Sequence, residues 1–109
     1  MQRDRKNAIK AYMYDRVRNA DTDTMLEYFA EGAWIQDDGV TNATYKGLSA
    51  IEEFYKANPT KVGPTIGEVK KDSEYFVDIS FAMGYYKYRV VFCFQMGTTL
   101  FETIIIKKA

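Results

Sequence analysis

By surface scaling, a chain of 109 residues and 12.6 kDa reduces its exposed area on folding from about 18,000 Å² to about 6,200 Å², enough for one core and a single domain over residues 1–109. With 47% hydrophobic and 28% charged residues the composition excludes a disordered or fibrous chain. Fifteen basic against fifteen acidic side chains leave no general field to attract nucleic acid or an anionic membrane, so neither is expected as a partner.

The absence of histidine removes the commonest general base and the commonest metal ligand. A single cysteine, Cys93, allows no intramolecular disulfide and no thiolate zinc cluster. Neither a metal nor a cofactor is indicated, and acid–base chemistry would fall to carboxylates, tyrosines or lysines. The segment Met1–Lys10 is charged, without the apolar stretch of a signal peptide, which places the expected protein in the cytoplasm.

Between Arg3 and Ala20, the apolar residues Ile9, Tyr12, Met13, Val17 and Ala20 recur at helical spacing and predict an amphipathic helix. Asp21 or Asp23 can cap a second helix that buries Met25, Leu26, Tyr28 and Phe29, with Gly32 at its C-terminal cap. Ala33 to Gln36 reads as a short strand entering an Asp37-Asp38-Gly39 turn, followed by an extended piece around Thr44-Tyr45. Ser49 and Glu52 have capping-box spacing at the start of a third helix, with Ile51, Phe54 and Tyr55 inward and Pro59 as its stop.

After Pro64 the period changes to two. Strands are predicted at Thr65–Asp72, Glu74–Met83, Tyr86–Gln95 and Leu100–Lys107, with turns at Asp72-Ser73, Gly84-Tyr85 and Met96-Gly97. On the third of these, Tyr86, Tyr88, Val90, Phe92 and Phe94 share one face. On the strand before it, Tyr75, Val77, Ile79, Phe81 and Met83 do the same. The class is α+β: helices first, then a long antiparallel meander.

Three strings carry a resemblance: Asn19-Ala20-Asp21-Thr22-Asp23, the stretch from Tyr28 to Trp34, and Tyr45-Lys46-Gly47-Leu48-Ser49-Ala50-Ile51-Glu52-Glu53-Phe54-Tyr55. With the order of elements, they make the chain resemble the nuclear transport factor 2-like superfamily, which includes ketosteroid isomerases and SnoaL-like polyketide cyclases. The resemblance implies a cone: a curved antiparallel sheet wrapped around three N-terminal helices, leaving an apolar pocket at one end. It also implies a carboxylate near the end of the first strand that abstracts a proton beside a carbonyl. Counting from Phe29 places Asp37 there, with Asp38 as the adjacent alternative.

If Ala33, Ile35 and Asp37 share the concave side, Asp37 faces the pocket. The isomerases' two oxyanion-stabilising positions fall on Met13 and near Val90, neither of which donates a hydrogen bond. Tyr12 and Tyr88 are the available replacements. The expected catalytic set is Asp37, Tyr12 and Tyr88, and the expected substrate-binding set is Met13, Ile35, Tyr55, Tyr86, Val90 and Phe92.

Two functions follow from this reading. One is a small-molecule-binding domain with an apolar pocket, extending to an isomerase- or cyclase-type enzyme that uses Asp37 as base on an apolar carbonyl substrate. In that case Asp37→Asn should leave folding intact and abolish turnover. The other is a non-catalytic ligand-binding or dimerisation module whose pocket is filled by aromatic side chains. In either case Val91, Cys93 and the apolar run from Leu100 to Ile106 put apolar area on the outer sheet face, and the family commonly dimerises there, so a homodimer is expected.

Overall fold

The computed structural model describes residues 3–60, 64–72, 76–83 and 86–109. Helix α1 spans Arg3–Val17 and buries Ile9, Tyr12 and Met13 along one stripe. It stops short of Ala20 because Asn19 takes a left-handed conformation (φ 53°). The Asn19 side chain then clasps Thr60, donating to its carbonyl at 3.0 Å and accepting from its N–H at 2.7 Å. At the other end, Arg5 donates to the Thr98 carbonyl at 3.0 Å and lies 4.9 Å from the centre of the Phe94 ring, tying α1 to the last sheet turn.

Helix α2, Thr22–Leu26, is capped by Asp21, whose carboxylate accepts from the Thr24 N–H at 2.8 Å. It is shorter than expected. Phe29 and Gly32 belong to strand β1, Phe29–Asp37, and Gly32 caps no helix. The reason is tertiary: β1 is claimed at its first residue by pairing of Phe29 with Phe101, far away in the chain.

Strand β2 spans Ala43–Lys46 and helix α3 spans Leu48–Ala57. The expected Ser49–Glu52 capping box is not formed. The helix starts two residues early, behind Gly47, so Ser49 falls within the first turn and Glu52 pairs with Lys56 at 2.9 Å. Asn58 closes the helix by donating its side-chain and backbone N–H groups to the Phe54 carbonyl, each at 3.0 Å.

The meander follows as β3 Pro64–Asp72, β4 Phe76–Met83, β5 Tyr86–Phe94 and β6 Phe101–Lys108. The turns predicted at Asp72-Ser73 and Gly84-Tyr85, and the expected inward position of Tyr75, lie wholly or partly outside the described residues.

The strands form one sheet in the order β2-β1-β6-β5-β4-β3, open at β2 and β3. Register shifts within the β1–β6, β3–β4 and β5–β6 pairings bend it. One expectation needs correcting: the sheet is not wholly antiparallel, since β1 and β6 run parallel. Three antiparallel pairings leave β6 running opposite to β3, and β6 pairs with β1 in the parallel sense. Placing β6 between β1 and β5 joins the hairpin β1–β2 to the meander.

The core fills the concave side beneath α1 and α3. Phe92 and Phe101 are fully buried, with ring centres 5.1 Å apart, and each ring centre lies 5.3 Å from that of Tyr12. Edge-to-face contacts of this kind add to the area the rings remove from water. The expected inward face of β5 therefore divides: Phe92 and Phe94 are core, Val90 belongs to the core and borders the cavity, and Tyr86 and Tyr88 continue beyond it.

Candidate ligand-binding cavity

Beyond the aromatic core the cone is open. A cavity of 650 Å³ lies between Tyr12, Met13 and Arg16 of α1, Phe54 and Ala57 of α3 with Asn58 and Pro59 after it, and the sheet residues Phe81, Tyr86, Tyr88, Val90, Ile106 and Lys108. Asp37, Gly39 and Val40 complete the wall. The volume lies within the roughly 300–1,000 Å³ usual for small-molecule sites, and the lining has their usual make-up, apolar with a few converging polar groups.

Alternation along β1 buries Ala33, Ile35 and Asp37, and this decides between the two aspartates. Asp37 is 0% exposed, whereas Asp38 faces outward and accepts from the Gln36 side chain at 2.8 Å. The Asp37 carboxylate organises the loop that follows. Oδ1 accepts from the N–H groups of Gly39 at 3.0 Å and Val40 at 2.9 Å, and Oδ2 accepts from the Thr41 N–H at 3.0 Å and its hydroxyl at 2.9 Å. These four donors match the roughly four acceptor sites a carboxylate offers. The loop folds back on the cavity wall at Gly39, where a Cβ would stand 3.1 Å from the Tyr88 ring and 3.3 Å from Ile106.

The hydroxyls of Tyr12 and Tyr55 lie 2.6 Å apart in the interior. Burial pushes both above the usual tyrosine range; the Arg16 guanidinium opposes that shift at each hydroxyl. Both hydroxyls are neutral near pH 7. One hydroxyl donates and the other accepts, and Tyr12 is the member of the pair that lines the cavity. Arg16 packs over the ring of Tyr55, 5.1 Å from its centre, and 5.8 Å from that of Phe54. Tyr88 is also raised, chiefly by burial and further by the charges of Tyr86 and Asp37.

Of the expected site residues, Asp37, Tyr12, Tyr88, Met13, Tyr86 and Val90 meet at this cavity. Ile35, Tyr55 and Phe92 do not line it. Ile35 and Phe92 are 0% exposed in the packed core, and Tyr55 stands behind Tyr12, Arg16 and Phe54 of the cavity wall; it lines a separate hollow of 160 Å³ near Asn19. Sequence reasoning missed Arg16, Phe54, Phe81 and Ile106 as lining residues. Arg16 carried a signal, since it lies four residues from Tyr12 on the same helix face.

A third hollow, 540 Å³, runs between α1 and the sheet at Val69, Val77 and Ile79. Of the expected site residues only Met13 borders it. Among the described residues no group of three or more side chains could hold a metal ion, and no helix is long and apolar enough to cross a membrane.

No protein-family model matches the sequence, and no curated protein matches it. Solved structures do match. A ketosteroid isomerase-like protein from Erwinia carotovora atroseptica superposes with a TM-score of 0.66 at 13% identity, over 94% of this chain and 92% of that one. A proposed polyketide cyclase from Sinorhizobium meliloti gives 0.69 at 20% identity, over 93% and 94%. An NTF2-like protein of unknown function from Cytophaga hutchinsonii gives 0.75 at 6% identity, over 100% and 93%. The chain has the cone-shaped α+β fold of the nuclear transport factor 2-like proteins, the fold shared by ketosteroid isomerase-like and SnoaL-like structures.

Proposed function

We propose that this protein binds a small apolar molecule in the cavity between α1, α3 and the concave sheet face. The observation that carries the reading is the open 650 Å³ space whose apolar wall brings together Tyr12, Tyr88 and Arg16. Aromatic side chains fill only the other half of the cone, so the aromatic-filled alternative accounts for the core and leaves the cavity unexplained. The neighbours' descriptions favour a polycyclic or polyketide-like skeleton.

A thermal-shift screen against apolar carbonyl, steroid-like and polyketide-like compounds tests this. A ligand at a hundred times its dissociation constant adds about 2.7 kcal/mol, which raises Tm by roughly 10 °C in a domain of this size. Val90→Trp, which projects a large ring into the space, should abolish the shift. No shift across the library overturns the reading.

General-base catalysis by Asp37 is the second reading, favoured by its place in the cavity wall beside Tyr88. It requires one carboxylate oxygen to be released from its loop donors before a substrate proton can be taken. We further propose that two copies associate through the outer sheet face, and that the single Cys93 suits a reducing, cytoplasmic setting.

A further inference from the structure

The cavity's charges are unequal in what they can offer a ligand. Among the described residues its one carboxylate, Asp37, is committed to four donors of its own loop. Its cations are not committed in that way. Arg16 forms no ion pair among the described residues, because the neighbouring Asp15 is taken by Arg18 at 2.8 Å and by the Tyr28 hydroxyl. What Arg16 has instead is the rings of Tyr55 and Phe54, whose centres lie 5.1 and 5.8 Å from its guanidinium carbon. Lys108, the other cation of the lining among the described residues, is exposed, where solvent screens it.

A guanidinium packed against aromatic rings beside an apolar space offers its donor fork to a planar anion. Tyr12, whose hydroxyl is bonded to that of Tyr55, lines the same cavity. A lone guanidinium balances one negative charge, which favours a carboxylate over a doubly charged phosphate monoester.

Building on the proposed binding function, we infer that the ligand is an amphipathic monocarboxylate, its apolar body in the cavity and its carboxylate on Arg16. The neutral fluorophore N-phenyl-1-naphthylamine serves as reporter of the cavity, displaced in parallel by decanoate and by decanamide, its uncharged counterpart. In the wild-type protein decanoate should compete at least about tenfold better, the scale of one hydrogen bond to a charged group. Arg16→Met should bring the ratio of the two competitors close to one, and Arg16→Lys should restore part of it. Arg16→Gln repeats the test if the Met variant does not fold.

Equal competition by the two compounds in the wild type, with the fluorophore bound, overturns the carboxylate inference and leaves the cavity reading standing. A wild-type preference that survives Arg16→Met overturns it as well. Failure of the fluorophore to bind the wild type defeats the cavity reading itself, and the inference with it.

Discussion

Asp37 shows how a residue placed correctly from the sequence can take on a different task. Its inward direction followed from alternation on β1, and a neutral Asn was expected to leave the fold intact. The four donors around its carboxylate reverse that expectation. An Asn keeps one acceptor oxygen and turns an NH₂ group toward donors, so Asp37→Asn should cost about 2–3 kcal/mol. Chemical denaturation should show it, while Asp38→Asn on the outer side should stay within about 0.5 kcal/mol. Asp15 carries a second charge-dependent contribution. Its bond to the Tyr28 hydroxyl, aided by Arg18, holds its carboxyl below the usual range against the opposing effect of burial. The stability it supplies is therefore fully present above about pH 4 and is lost as pH falls through its folded value. Burial and the same bond push Tyr28 up to about 12; its contribution is present below about pH 10 and fades as pH rises toward that value. Tm measured from pH 2 to 6 should fall less steeply in Asp15→Asn than in the wild type.

Elements defined by local chemistry were legible in the sequence, and those defined by distant pairing were not. Helix α1, the Asp21 cap and the stop before Pro59 follow from spacing and capping, and the structure has all three. The N-terminal half of β1 does not. Tyr28-Phe29-Ala30 suits a helix as well as a strand, and it is the parallel pairing with β6 that settles the matter. The start of α3 is a similar case. Ser49 and Glu52 offered a capping box, but the chain turns at Gly47 with φ 86° and ψ 161°, a region open in practice only to glycine. The Gly47 N–H bonds to the Ala33 carbonyl at 2.8 Å and its own carbonyl accepts from Ile51 at 3.0 Å, so the turn joins β1 to the helix. Gly47→Ala should cost about 1–3 kcal/mol from backbone strain alone, since a Cβ there meets nothing within 4 Å. Thermal denaturation of that variant beside Gly32→Ala, which also has open space but no positive φ, separates strain from crowding.

At the scale of the molecule, the sheet has one face covered by helices and one that is not. The cavity belongs to the covered face and was only half legible, because alternation tells which side chains point inward but not where close packing ends. Tyr88 and Phe92 are equivalent by period, yet one lines the space and the other fills the core. The outer face is simpler to read. Pairing places Val91 beside Ile105 and Cys93 beside Thr103, and β1 adds Trp34 next to Thr103. Asp78 and Arg89 on the same face neutralise each other through two hydrogen bonds of 3.1 and 2.5 Å, which lowers the electrostatic obstacle to burying that surface. Burial and the nearby Glu102 raise the Cys93 thiol, so it acts there as a small apolar group rather than a thiolate. A second copy meeting this face about a two-fold axis would bring Ile105 close to its symmetry mate, and a stable contact needs roughly 1,200 Å² or more in total. Ile105→Glu places two carboxylates in such an interface, while Ile105 in a single copy is already partly exposed and tolerates the charge. Sedimentation velocity should then show a dimer for the wild type and a folded monomer for Ile105→Glu. A wild type that sediments as a monomer at tens of micromolar would leave the apolar outer face without a second copy to cover it.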